Sequence, residues 1–146
     1  MPTDAGDQFR LTFAADNLLG YLETAGVRLA DHPDPMPGQW DMTGDGSYLV
    51  FGHGEFTWYQ SAQVTDDNYY HGVYVTIPAC ELNSGISLTR GSQPCYTVEM
   101  RYTGKIVDGV VSTKVYYGAF VLITVSADEF TGMNMRTGND IRLMRH

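Results

Sequence analysis

The chain has 146 residues, 43% hydrophobic and 18% charged, a balance that excludes a disordered tail or a coiled coil and fits one domain with a sizeable core. Its formal net charge of −8 argues against nucleic acid and against an anionic membrane surface, both of which call for a basic face. No apolar run approaches the ~20 residues that span a bilayer as a helix.

Residues 1–8 are polar and acidic and read as a frayed end. Two readings compete for the next segment. Phe9-Arg-Leu-Thr-Phe13 alternates like a short strand, whereas Asp16-Asn17 followed by Leu18, Leu19, Tyr21 and Leu22 predicts a capped amphipathic helix ending before Gly26. The helix is preferred. His32-Pro-Asp-Pro-Met-Pro-Gly38 holds three prolines in seven residues and reads as an extended lead-in. Strands are predicted at Gln39–Met42, Ser47–Phe51, Glu55–Gln60 and Tyr69–Ile77, with a turn at Thr43–Gly46 and a hairpin signal at Gly52-His-Gly54. Val64–Asn68 reads as a polar link, and residues 78–94 as a connection with one helical turn. Further strands are predicted at Cys95–Tyr102, Thr113–Val125, Glu129–Met135 and Ile141–Met144. A second hairpin signal falls at Asp108-Gly109 and a last turn at Thr137–Asp140. About eight short strands at regular spacing predict an all-β sandwich or barrel. An up-and-down antiparallel barrel has the advantage of removing unpaired edges. The expected division is 1–37, an arm or helix with the proline-rich lead-in, and 38–146, the barrel.

Charge and cysteines set further bounds. Met1–Tyr70 carries 11 acidic and 2 basic residues, against 6 and 7 in His71–His146. The acidic half reads as a solvated segment; the alternative is a patch for a cation or a basic partner. Cys80 and Cys95 would close a 15-residue loop if bridged, and spacing leaves a disulfide and two free thiols equally open. Met1–Asp7 has no basic or apolar signal-peptide region. The chain is then either cytoplasmic, or exported with its leader or anchor outside this sequence.

Gly38-Gln39-Trp40 resembles the Gly-x-Trp of lipocalins and their calycin relatives. In those barrels the tryptophan closes the bottom beneath an arginine from near the chain end, a role for which Arg142 and Arg145 are the candidates. A wider resemblance runs through Gly46–Phe51, Phe56–Tyr59, Asp66–Tyr70 with Gly72 and Tyr74, and Met133–Gly138. These segments look like a family of uncharacterised small proteins of Gram-positive bacteria, often tethered outside the cell by an N-terminal anchor. The resemblance spans roughly Gly38 to the C-terminus. It implies a calycin-like barrel and an extracytoplasmic site, and it carries no activity. This chain departs from that family in having only two lysines and in its two cysteines.

Candidate sites are few. Asp41–Gly46 begins like a calcium loop, but the twelfth position, where a bidentate glutamate belongs, is Gly52, so a β-turn is expected. Asp66, Asp67 and Asn68 form the densest oxygen cluster and read as turn residues pinning the start of a strand. His32, His53, His71 and His146 show no metal spacing, and no Gly-x-Ser-x-Gly elbow is present. No cofactor, metal or catalytic residue is assigned. The aromatic set is more informative. Trp58, Tyr70, Tyr74, Tyr102 and Tyr116 fall on strand faces that would either fill the barrel or line a cavity for a small apolar ligand. The expected function is a non-catalytic extracytoplasmic module holding such a ligand. The alternative is a structural or protein-interaction domain of a cell-surface protein, with an enzyme ranked behind both.

Overall fold

The computed structural model describes residues 13–42, 46–59, 69–82, 85–107, 109–113 and 116–146, without the side chains of 13–16, Leu82, Val107 and Tyr116. A helix, α1 (Phe13–Ala25), is followed by a 3-10 turn at Leu29–Asp31. The strands are β1 (Gly38–Met42), β2 (Tyr48–Gly52), β3 (Glu55–Tyr59), β4 (Tyr69–Ile77), β5 (Cys80–Leu82), β6 (Gly85–Ser87), β7 (Thr89–Arg90), β8 (Gln93–Val107), β9 (Val110–Ser112), β10 (Tyr116–Ser126), β11 (Glu129–Asn134) and β12 (Asp140–Arg145). No helix among the described residues is long and apolar enough to cross a membrane.

Eight strands close an antiparallel barrel in the order β1-β2-β3-β4-β8-β10-β11-β12, with β12 pairing back onto β1. Side-chain alternation explains the closure. In β1, Trp40 and Met42 are buried while Gln39 and Asp41 stay half-exposed. The same period of two turns Leu49 and Phe51 of β2, Val98, Met100 and Tyr102 of β8, and Phe120 and Leu122 of β10 into one core. β2 and β3 meet in a two-residue turn, with Gly52 opposite Glu55. His53 and Gly54 both have positive φ, 44° and 88°, the type I′ geometry whose hand matches strand twist. His53 therefore holds a left-handed backbone that a β-branched residue resists. His53→Val is expected to lower the unfolding free energy by about 1 kcal/mol and His53→Asn to raise it. Urea midpoints measure both, and an unchanged midpoint for the valine variant would contradict this turn.

Three elements differ from the sequence reading. The helix is already formed at Phe13, the first described residue, ahead of the Asp16-Asn17 cap, because Ala14 and Ala15 favour helix. It ends as expected. Gly26 N–H donates to Glu23 O (3.1 Å) and Val27 N–H to Leu22 O (2.9 Å), the paired bonds of a Schellman cap. Residues 78–94 contain no helical turn among those described; β5 and β6 pair as a hairpin and β7 returns along β8. β8 runs from Gln93 to Val107, well past the expected Tyr102, because its upper half pairs both with the start of β4 and with β9. The Thr43–Gly46 turn and the Val64–Asn68 link involve residues outside those described.

Cys80 and Cys95 are bonded as a disulfide, with Cα atoms 5.9 Å apart. Both are buried beside Val121, with Ile123 packed against them. The bridge ties the β5–β6 hairpin to the start of β8. Leu18 and Leu22, one helical turn apart on α1, pack there on Ile77 and Ala79, with Ile86 and Leu88 adjoining.

The proline-rich lead-in forms the floor of the barrel. Met36 is fully buried in the barrel core. The Asp34 carboxylate accepts hydrogen bonds from Tyr74 Oη (2.6 Å), Thr76 Oγ1 (2.8 Å) and the Met36 N–H (2.9 Å). Proline has no N–H to satisfy, so this segment offers mainly carbonyls. Trp40 Nε1 donates to Met36 O (2.8 Å), and Arg145 donates to Pro37 O and Pro35 O (3.0 and 3.1 Å).

Candidate functional site

Arg145 takes the place expected for a closing arginine. Its guanidinium carbon lies 4.2 Å from the centroid of the Trp40 ring, and the two residues are paired across β1 and β12. Gly38 belongs to the same motif, because a Cβ there would come within 2.8 Å of Arg145 Nη1. Arg142 does not contribute. It lies on the opposite side of β12, where its Nε meets Glu129 Oε2 at 2.6 Å. The correction follows from strand parity, since Leu143 is buried in the core and Arg145 shares its face whereas Arg142 cannot.

Above this floor the barrel is filled by side chains such as Phe51, Met100, Phe130 and Leu143. At the opposite end a cavity of about 300 Å³ remains. Trp58 near the end of β3 stands opposite Tyr70 near the start of β4, with ring centroids 6.1 Å apart. Tyr102 of β8 meets Tyr70 edge-on at 5.6 Å, and Phe120 of β10 meets Trp58 edge-on at 6.0 Å. These four rings line the cavity. Asn134, Arg136 and Thr137, from the end of β11 and the turn after it, complete the lining with polar groups. Asn134 Oδ1 accepts the Arg136 backbone N–H at 2.9 Å, which fixes that turn. Lys105 Nζ sits 5.9 Å from the Tyr70 ring centroid. Trp58 Nε1 is buried and has no hydrogen-bond partner among the described residues.

Of the five aromatic residues singled out in the sequence, the structure brings Trp58, Tyr70 and Tyr102 together on this lining. Tyr74 stands elsewhere, deep in the core against Phe51 at 4.8 Å. Its hydroxyl binds Asp34, and burial together with that bond holds its pKa far above the ordinary tyrosine value, so it stays a neutral donor. The Tyr116 side chain lies outside the described residues, as do Asp66, Asp67 and Asn68 and the middle of the Asp41–Gly46 turn. Asp41 itself lies 3.1 Å from His146 Nδ1. Among the described residues no group of three or more His, Cys, Asp and Glu is placed to hold a metal. Phe120, Asn134 and Arg136 were not singled out as site residues. Phe120 has a sequence signal in its even spacing from Tyr116, whereas nothing local marks Arg136 as a lining residue.

Comparison with protein-family models, curated proteins and solved structures found no match for this chain.

Proposed function

We propose that the chain is a non-catalytic β-barrel module that holds a small, largely apolar ligand at the mouth of the barrel. The observation that carries this reading is the cavity of about 300 Å³ walled by Trp58, Tyr70, Tyr102 and Phe120. Its volume is at the lower bound of the ~300–1,000 Å³ usual for ligand pockets, so the ligand is small. The opposite end is closed by Trp40, Arg145 and the prolines, which leaves the mouth as the route of access. We read the module as calycin-like and extracytoplasmic, related to the Gram-positive family that its sequence resembles. The Cys80–Cys95 bridge supports that compartment, because disulfides persist where the milieu is oxidising.

Titration with indole, a neutral aromatic probe, followed by ¹H–¹⁵N NMR tests the binding site. Saturable shifts are expected at Trp58 Nε1–H and at the amides of Tyr70, Phe120 and Asn134, with Trp40 Nε1–H unmoved. Shifts scattered over the surface, or none, would sink the reading.

One observation favours the protein-interaction alternative. Val110 and Val111 are 69% and 67% exposed on β9, which pairs only with β8 among the described strands. An apolar strand with a free edge is a template for pairing with another chain. Loss of self-association or capture in a Val110→Lys/Val111→Lys variant, with indole binding absent from the parent protein, would favour that alternative.

A further inference from the structure

We propose that Tyr48 and Tyr59, stacked on the outer face of the barrel, are a site of oxidative cross-linking, at which hydrogen peroxide acting through a haem peroxidase joins the two rings by a carbon–carbon bond and staples β2 to β3. This goes beyond the ligand reading and does not depend on it.

Strand period puts both side chains on the outside. Leu49 belongs to the core and Trp58 packs against it, so the adjacent Tyr48 and Tyr59 face outward. The two tyrosines stand directly opposite each other on β2 and β3. Their ring centroids are 4.8 Å apart and their planes 28° from parallel. That separation is already close to that of two rings bonded directly. Both side chains are half-exposed, so they can turn from a stacked to an edge-on contact without disturbing the core. The row continues to Tyr69 on β4, but the Tyr59–Tyr69 rings are wider apart, at 5.8 Å and 46°. Tyr70 and Tyr102 are also wider, at 5.6 Å, and cross at 89° with Tyr102 buried.

Two further features favour the reaction. Asp41 of β1 is the cross-strand neighbour of Tyr48 on its other side. Burial, the Tyr59 hydroxyl and the Asp41 carboxylate, in that order, raise the Tyr48 pKa. Tyr48 is therefore a neutral phenol at neutral pH, and its oxidation must release a proton with the electron. Asp41 is the base beside it. The chain's two cysteines are also bonded to each other, so no thiol is present to reduce a tyrosyl radical.

The reaction balances as follows. Each phenol gives up one electron and one proton and becomes a phenoxyl radical, whose unpaired density extends to the carbons ortho to oxygen. Two ortho carbons couple, and each ring regains aromaticity when its ortho hydrogen moves to the oxygen. The two electrons and two protons reduce one hydrogen peroxide to two waters. The chain loses two hydrogens.

The test treats the intact protein at neutral pH with a haem peroxidase and hydrogen peroxide and recovers the monomer after denaturation. A mass lower by two hydrogens and dityrosine fluorescence are expected. Glu55 lies between the two tyrosines, so a glutamate-specific protease separates them in the untreated chain and leaves them joined in the product. Tandem mass spectrometry of the joined peptides locates the bond. Tyr48→Phe and Tyr59→Phe are each expected to lower the intrachain product about tenfold or more, since each removes one of the two radicals. Tyr69→Phe and Tyr102→Phe are expected to leave it within about twofold, since neither ring takes part. Asp41→Asn is expected to slow the reaction about threefold without moving the bond, since the amide is no base. Joining chiefly between chains, joining at Tyr69 in place of Tyr48, or an undiminished yield from Tyr48→Phe would overturn the site. An unchanged rate for Asp41→Asn would overturn the role given to Asp41.

Discussion

Replacing Trp40 by alanine is expected to lower the unfolding free energy by about 3–5 kcal/mol, a large share of the ~5–15 kcal/mol that stabilises a domain. The indole is fully buried, packs on Phe130 at 5.1 Å and lies beneath the Arg145 guanidinium. Its removal opens a cavity in the core, leaves Met36 O without its donor and strips Arg145 of its aromatic surface. The loss thus exceeds the transfer of one side chain, because the floor segment loses its attachment as well. Trp40→Phe separates the terms. It keeps most of the apolar body and loses the N–H, for an expected cost of about 1–2 kcal/mol. Urea unfolding followed by far-ultraviolet circular dichroism measures both variants. A Trp40→Ala variant within 1 kcal/mol of the parent would show that the floor is held some other way.

Removing the disulfide is the second large perturbation. For a 15-residue loop the stabilisation expected from restricting the unfolded chain is about 3 kcal/mol. A Cys80→Ser/Cys95→Ser variant is expected to lose about that much, and the parent protein to lose the same on reduction. The loss is regional. The β5–β6 hairpin follows directly on β4 and is cross-linked to β8 by Cys80, and α1 packs on Ile77, Ala79, Ile86 and Leu88 around that link. Hydrogen exchange is expected to accelerate in α1, β5 and β6, while β1, β2 and β12 keep their protection. Uniform acceleration over the whole chain would show that the bridge stabilises the barrel ring directly.

Much of the barrel was legible in the sequence because half-buried strands advertise themselves through a period of two. Tyr69–Ile77 is a strand with the bounds expected, Gly52-His-Gly54 marks a turn that exists, and β8 and β9 pair on either side of Asp108-Gly109, of which Asp108 lies outside the described residues. The parts that were not legible depend on distance along the barrel axis or on remote partners. Tyr70 and Tyr74 share a strand face, yet four residues of strand separate them by about 13 Å, enough to put one at the mouth and the other near the floor. Three prolines announce extended chain without saying where it runs, so the floor could not be foreseen. Arg142 and Arg145 were equal candidates until Leu143 fixed which side of β12 faces inward. Arg136 lines the cavity because the turn after β11 adjoins it; Asn134 sets the shape of that turn, but its place beside Trp58 and Tyr70 follows from closure of the barrel.

The pairing of β12 with β1 has a consequence for how the protein is made. Arg145 bonds to Pro37 across 108 residues of chain, and the ring has no seam other than this one to close last. Every other neighbouring pair in the barrel can form as synthesis proceeds, but the first strand must wait, edge open, until the final one leaves the ribosome. Loop-closure entropy over such a span makes this step slow compared with hairpin formation. The nascent protein therefore passes through a curled, unclosed sheet whose first edge is exposed to pairing with other chains.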